Sequence, residues 1–448
     1  MKSDGEKTDV KLDELGDWRR THYTVDVTPE LNGKEVVIFG WVQDIRDLGG
    51  LRFLILQDRE GTVQVTIPRK KVGQHVLERS EMLGRQYSIG VKGMVQSTKM
   101  TPRGVEIIPS EIRVLGVAQQ PLPLDITGKT PSKIDARLDA RVLDLSREEN
   151  RAIFKVQHSA CEATHSFLSQ AGFIEVHTPR IIGSATEGGA ALFSVDYYDK
   201  AAYLAQSPQL YKEELVIDFE KVFEIGPFFR AEMSHTRRHV SEFVSIDIEQ
   251  AFATAEDVMQ TLEQLVHYIC EEVNAGCRKE LKILKHKVEV PEKPFRRFTY
   301  DQILKELKKE GIEIPWGEDI PTQAVRKVGK LHPSYYWITD WPTKSKPFYL
   351  KPRADKPQLC EAFDLMWSWI ELASGGTRVG SKEMLTRRLK EQGLNPDSFK
   401  YHLQAFDYGM PPHAGWAMGL ERFAMALTGK YNIREVTLFP RDRFRLSP

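Results

Sequence analysis

The 448-residue chain has little cysteine. Its four cysteines, Cys161, Cys270, Cys277 and Cys360, show no CxxC spacing and no neighbouring histidine cluster, which excludes a zinc ribbon and a disulfide framework and suits a reducing cytoplasm. No run of eighteen apolar residues occurs, so no membrane span is expected. The first seventeen residues, MKSDGEKTDVKLDELGD, are charged and lack the apolar stretch of a secretory signal; they read as a disordered tail, 1–17. GxGxxG and GxxxxGK[ST] loops are both missing, which excludes the glycine-rich phosphate cradles of dinucleotide-binding and P-loop proteins. Charge of one sign is missing too: Lys plus Arg and Asp plus Glu are 63 each, so the chain as a whole is no polybasic nucleic-acid binder. A small local excess of Lys and Arg between Trp18 and Leu122 has the sign of a surface that meets phosphates.

What is present is the composition of a globular protein with two or three cores, 41% hydrophobic and 28% charged. Short alternating runs rich in β-branched residues fill Lys34 to Leu115: EVVIFGWVQDI, LRFLILQD, TVQVTI, QYSIGVKGMV and VEIIPSEIRVL. Gly49-Gly50, Glu60-Gly61 and Pro102-Arg103-Gly104 punctuate them as turns. Five strands with one helix-permitting interruption, Lys70 to Leu83, give the pattern of an OB-fold over 18–120, although any small β-barrel shares it. The proline-bearing segment PLPLDITGKTPSK then predicts a hinge over 121–145. From 146 to 448 strands and helices alternate irregularly, an α+β pattern, with helices expected near Glu149 to Ala171, Ala255 to Asn274, Lys382 to Gln392 and Gly419 to Thr428. Residues 278–329 are lysine-rich and read as a structural insertion.

Three blocks carry the chemistry: FRAE at Phe229 to Glu232, RHxxEF at Arg238 to Phe243, and GLER at Gly419 to Arg422. Planar guanidinium forks suit phosphate oxygens better than lysine does, and Phe243 can stack on a purine, so together the blocks suit ATP. FRAE in isolation is also compatible with a surface turn closed by a salt bridge.

In their order and surroundings the blocks resemble class II aminoacyl-tRNA synthetases of the aspartyl/asparaginyl/lysyl subgroup, and within it the archaeal type of aspartyl enzyme. GFIEVHTPRI around Pro179 resembles the dimer-forming first motif, FRAEMSHTRRHVSEF the second and GWAMGLERFAMAL the third. The resemblance implies an OB-fold anticodon-binding domain and a catalytic domain built on an antiparallel sheet with flanking helices. It implies a homodimer that uses ATP, L-aspartate and tRNA-Asp, and not DNA or a membrane.

By the same resemblance Arg230 grips the α-phosphate, Arg422 the γ-phosphate, and Arg238 with His239 the β/γ region, while Glu232 orients the nucleotide, Phe243 covers the adenine and Gly419 belongs to the ATP site. Mg2+ falls to Glu371 and Ser374 with Asp364 beside them; two carboxylates plus phosphate and water oxygens suit that ion. Two solvated acids at strand ends are the alternative. Lys212 of QSPQLYK and Arg378 of SGGTR are implied to contact the substrate β-carboxylate, steadied by Asp247. Ser374 and Arg230 also border the amino acid, and Gln209 and Glu187 hold its α-ammonium. His413 of PPHAG lines the pocket by resemblance and can equally be structural. Where the third motif usually reads GxGxGLER, Ala417 replaces the middle glycine.

On the β-domain the resemblance assigns Arg46, Phe53 and Gln64 to the anticodon; an aromatic that stacks on a splayed base is the expected mode for single-stranded RNA. From pattern alone Phe53 fits the barrel core as well. Gln43 and Pro102 match positions that read the third anticodon base, where discriminating relatives tend to carry tryptophan and lysine. A glutamine amide both donates and accepts, so the expectation is charging of tRNA-Asn as well as tRNA-Asp; loop shaping is the alternative role for both residues. An asparaginyl enzyme and a catalytically inactive RNA-binding paralogue are the competing functions.

Overall fold

The computed structural model describes residues 10–183, 192–233 and 236–448, and the chain divides into two compact units at Glu148/Glu149. In the first unit the alternating runs form β1 (Glu35–Asp47), β2 (Leu51–Gln57), β3 (Thr62–Pro68), β4 (Ser88–Ser97) and β5 (Val105–Gly116). They close into a barrel in the order β1-β2-β3-β5-β4. One residue in two faces inward: Val36, Ile38, Leu54, Leu56, Val65 and Ile107 are fully or nearly fully buried and build the barrel core. The interruption holds the helix Gln74–Glu81. Residues 121–145, read as a hinge, carry two short helices, Ile134–Asp139 and Arg141–Asp144. Asp125 is tied down there, its carboxylate accepting from Thr127 and Thr130.

The second unit holds β6 (Ile174–Glu175), β7 (Ile181–Ile182), β8 (Ser194–Tyr197), β9 (Lys200–Leu204), β10 (Lys221–Phe229), β11 (Glu242–Ala251), β12 (Arg296–Thr299), β13 (Tyr335–Thr339), β14 (Ala362–Trp367), β15 (Ile370–Thr377) and β16 (His413–Gly419). Eight of them form one sheet in the order β12-β13-β14-β15-β16-β11-β10-β6, antiparallel throughout its interior and parallel in the outermost pair at each end; β7, β9 and β8 form a small separate sheet. The α+β architecture expected of the sequence is therefore present. Residues 278–329, read as an insertion, contribute β12 to this sheet's edge and the helix Tyr300–Lys309, whose Tyr300, Ile303 and Leu307 are fully buried.

One face of the sheet is covered by the helices Glu148–Gln170 and Ala255–Gly276. Ile153, Val156, Leu262 and Ile269 of those helices share a core with Ile246 and Ile248 of β11, Phe363 of β14 and Trp416 of β16. Because side chains alternate along a strand, burying Ile246 and Ile248 sends Phe243, Ser245, Asp247 and Glu249 to the opposite face.

Candidate active site

That opposite face floors a cavity. Register brings Asp247 of β11 opposite Ala417 of β16, Ala417 opposite Ser374 of β15, and Ser374 opposite Asp364 of β14, so one row across four strands carries three of the polar groups singled out in the sequence. Glu371 lies three residues before Ser374, a spacing that strict alternation would put on the wrong face. A bulge, which leaves Leu372 unmatched between the Leu365–Ala373 and Met366–Glu371 pairs, restores it to the cavity side. The cavity is lined by Arg230, Glu232, Arg238, His239, Phe243 and Arg422 at one end and by Gln209, Asp247 and Arg378 at the other, with Glu371, Ser374 and Gly419 along its wall. Glu187 lies outside the described residues.

At the first end positive charge converges. The Glu371 carboxyl, pushed up by burial, is drawn below its usual range by Arg422, Lys346, Arg238 and Arg230. Arg422 Nη1 donates to the Glu371 carbonyl at 3.1 Å and to its Oε1 at 3.4 Å. Arg230 lies with its guanidinium 5.3 Å from the Phe243 ring centroid. The buried Nε atoms of Arg230 and Arg238 have no hydrogen-bond partner among the described residues, and a buried donor without a partner is costly until a ligand supplies one. Burial and then the nearby Arg422 push His239 down to about 4, so near neutrality it is an uncharged imidazole whose Nδ1 meets Thr236 Oγ1 at 2.7 Å. Glu421 is buried beneath; burial pushes its carboxyl up to about 7 although the Val244 N–H donates to both its oxygens at 3.1 Å.

At the second end the charges are paired. Lys212 is buried behind the wall rather than in it, donating to Asp247 Oδ1 at 3.0 Å and to the Trp416 carbonyl at 3.2 Å. Arg378 donates from Nε and Nη2 to the two oxygens of Glu249 at 2.8 and 3.0 Å. Asp247, implied to steady both cations, thus bonds Lys212, while Glu249 holds Arg378. The two acids sit two residues apart on β11, which is why they share a face. Gly415 makes room for Glu249, because a Cβ there would collide with its carboxylate. Gln209 Nε2 donates to Glu213 Oε1 at 2.6 Å. His413 is buried and lies off the cavity, 3.3 Å from Glu213 Oε2, with His402 3.4 Å from the same oxygen. Burial opposes charge on Glu213, but the His402 and His413 imidazoles beside it outweigh it and hold the carboxyl well below its usual range.

Glu249, Glu213, His402 and Lys346 were not singled out in the sequence. Period-two spacing from Asp247 was a signal for Glu249; His402 and Lys346 carry none, since only the fold brings them in. Lys346 Nζ donates to both oxygens of Asp364, at 2.8 and 2.7 Å.

Asp364, Glu371 and the Ser374 hydroxyl form a donor set that fits Mg2+. It offers two carboxylates and a hydroxyl beside a cavity wide enough for phosphates, and Mg2+ takes its remaining ligands from phosphate and water. Among the described residues no cluster of three His, Cys, Asp or Glu exists that would make a closed, all-protein metal cage.

On the barrel, Arg46, Phe53 and Thr66 stand opposite one another across β1, β2 and β3, and Asp44, Ile55 and Gln64 form the next row of the same face. Leu54 and Leu56 take the core, so Phe53 is a half-buried residue of the outer face. Gln64 Nε2 donates to Thr66 Oγ1 at 3.0 Å and to Glu106 Oε2 at 3.2 Å. Gln43 is the unmatched residue of a bulge between Val42 and Asp44, and Pro102 is exposed in the turn before Gly104.

Residues 133–443 match the family described as tRNA synthetases class II (D, K and N), and residues 36–115 match the OB-fold nucleic acid binding domain. The chain belongs to the class II tRNA synthetases of the D, K and N group. Its relatives include proteins named aspartate-tRNA(Asp/Asn) ligase from Archaeoglobus fulgidus, 50% identical over 95% of this chain and 99% of that one, and from Methanopyrus kandleri, 51% identical over the same shares. Similar solved structures include asparaginyl-tRNA synthetase from Pyrococcus horikoshii with asparaginyl-adenylate, at a TM-score of 0.91 and 31% identity over 96% of this chain and 100% of that one. Another is the aspartyl tRNA synthetase of Entamoeba histolytica, at 0.84 and 31% over 99% and 94%. As an aminoacyl-tRNA ligase of this class the protein uses ATP.

Proposed function

We propose that the protein activates L-aspartate with ATP and transfers it to tRNA-Asp and also to tRNA-Asn. The observation that carries the amino-acid choice is Arg378 at one end of the cavity, its guanidinium fixed from behind by Glu249, with the buried Lys212 held behind the wall by Asp247 and adding positive charge there. A carboxylate accepts from the free edge of that guanidinium and is favoured by the charge behind it, whereas a neutral amide cannot repay the desolvation of these cations. Lysyl and asparaginyl substrates lack that match. The names of the archaeal relatives support the same reading and its extension to tRNA-Asn.

In the first step an α-carboxylate oxygen of aspartate attacks the α-phosphorus of ATP in line and pyrophosphate leaves. Charge develops on phosphoryl oxygens, so alignment and fixed cations do the work. Arg230 faces the α-phosphate, Arg422 the γ-phosphate, and Arg238 with neutral His239 the β/γ region, where the orphaned guanidinium Nε donors gain acceptors. Phe243 covers the adenine, and Glu232 orients the nucleotide. Gln209, whose NH2 is committed to Glu213, turns its carbonyl toward the α-ammonium. Asp364, Glu371 and Ser374 would hold Mg2+, which when bound neutralises charge on the leaving pyrophosphate. In the second step a hydroxyl of the tRNA 3'-adenosine attacks the activated carbonyl and AMP leaves.

The anticodon is read on the outer face of the barrel, with Phe53 stacking on a base, Arg46 and Gln64 beside it, and Gln43 and Pro102 meeting the third anticodon position. The chain forms a homodimer through the segment around Pro179, where Ile174 and Ile181 each stand 47% exposed; light scattering at twice the 51.3 kDa chain mass is the expected result. Aminoacylation of tRNA-Asp and tRNA-Asn transcripts with labelled aspartate tests the whole reading. Comparable charging of both is expected, and a preference for tRNA-Asp beyond roughly a hundredfold, about 2.8 kcal/mol at the transition state, would restrict the enzyme to one tRNA.

A further inference from the structure

Lys346 has no part in the chemistry above, yet its ammonium is bound to one of the proposed metal acids, Asp364. Its Nζ lies 2.8 and 2.7 Å from the two oxygens of Asp364 and 4.2 Å from the Trp341 ring centroid, and its backbone carbonyl accepts from Gln392 Nε2 at 2.8 Å. The side chains of Lys346 and Asp364 are 11% and 5% exposed, so the contact is screened little by solvent or salt. A buried carboxylate needs a cation beside it, whereas Glu371, whose side chain is 45% exposed, faces Arg422. For Asp364 that cation is Lys346.

This bears on how a divalent ion reaches the site. Mg2+ sheds water reluctantly and depends on phosphate oxygens for part of its shell. With both Asp364 oxygens engaged by an ammonium, a free ion is offered Glu371 and Ser374 and little else. An ion already carried on the phosphates of ATP needs no more than those two, and can then compete for Asp364. We propose that Lys346 is a built-in counter-cation that denies the Asp364–Glu371 pair to a free divalent ion, so that the metal enters with the phosphates of the nucleotide. The proposal rests on the reading of Asp364, Glu371 and Ser374 as cation ligands. Lys346 is thereby a positioning residue and not a catalytic one.

The test is Mn2+ binding to the full-length protein, followed by electron paramagnetic resonance with and without a non-hydrolysable ATP analogue and corrected for Mn2+ on the free analogue. For the unaltered protein, Mn2+ alone should bind at least about tenfold more weakly than with the analogue. Lys346→Met keeps the apolar stem and removes the charge, and should tighten nucleotide-free Mn2+ binding by about tenfold or more. Adding Asp364→Asn to it should return the affinity to the weak original value, which places the effect on that carboxylate. Unchanged or weaker Mn2+ binding in Lys346→Met overturns the proposal, as does tight binding by the unaltered protein without nucleotide. Should Lys346→Met fail to fold by circular dichroism, Lys346→Gln, which also removes the charge, takes its place in the same comparison. Absence of Mn2+ binding even with the analogue overturns the cation-site reading itself, and the proposal with it.

Discussion

Arg378 and Glu249 face each other as a two-point fork, Nε to Oε1 at 2.8 Å and Nη2 to Oε2 at 3.0 Å, both side chains all but fully buried. The fork uses one edge of the guanidinium and leaves Nη1 without a partner among the described residues. Fixing one edge so rigidly pre-orients the other toward a ligand.

Arg378→Ala should therefore raise the KM for aspartate by at least about thirtyfold while changing that for ATP little, since a charge-assisted bond of about 2 to 5 kcal/mol is lost. Lys212→Ala should have the smaller effect of the two, because Lys212 sits behind Asp247 and off the cavity wall. Steady-state kinetics in each substrate separates them, and a loss confined to ATP would contradict the assignment of this end of the cavity.

Glu371→Ala should abolish activation even at saturating aspartate and ATP. It removes the carboxylate that faces Arg422, Arg238 and Arg230 and that is proposed to hold Mg2+. Near-normal turnover restored by excess Mg2+ would exclude Glu371 from the ligand set.

His402 carries a pH signature. Although burial opposes its charge, the Glu213 carboxylate 3.4 Å away and a hydrogen bond to Glu214 push its pKa up to about 9. A pKa raised on folding contributes stability that is fully present below the unfolded value near 6.5 and is lost as pH rises through about 9. Denaturant unfolding of His402→Gln should show a deficit of about 2 to 3 kcal/mol at pH 6 that narrows by about pH 9.5. A deficit independent of pH would mean that His402 acts by packing alone.

Phe53→Ala should raise the KM for tRNA by about tenfold or more, as loss of one base stack worth about 1 to 3 kcal/mol requires, and leave pyrophosphate exchange unchanged. Equal loss in both assays would return Phe53 to a structural role.

Much of this was legible in the chain because alternation on strands is a local property. The five barrel strands follow from period two alone, and the same period explains why Phe243, Ser245 and Asp247 share the cavity face of β11. The arginines of the three blocks were legible as partners for phosphate, and their separate roles came from the resemblance. Glu371 and Ser374 were placed by resemblance, since their odd spacing opposes alternation and needs the bulge at Leu372 to make sense. His402, Glu213 and Lys346 were out of reach for a different reason. Their partners lie up to about two hundred residues away, and no periodicity encodes a contact made by tertiary packing. Residues 278–329, read as a structural insertion, hold a four-residue edge strand, Arg296–Thr299, that is too short to announce itself between lysine-rich segments.

The central claim is that the cavity selects aspartate, and pyrophosphate exchange into ATP measures it without tRNA. Purified protein should support exchange with aspartate and show none above background with asparagine or lysine at equal concentration. Exchange driven by asparagine or lysine and not by aspartate would contradict the account.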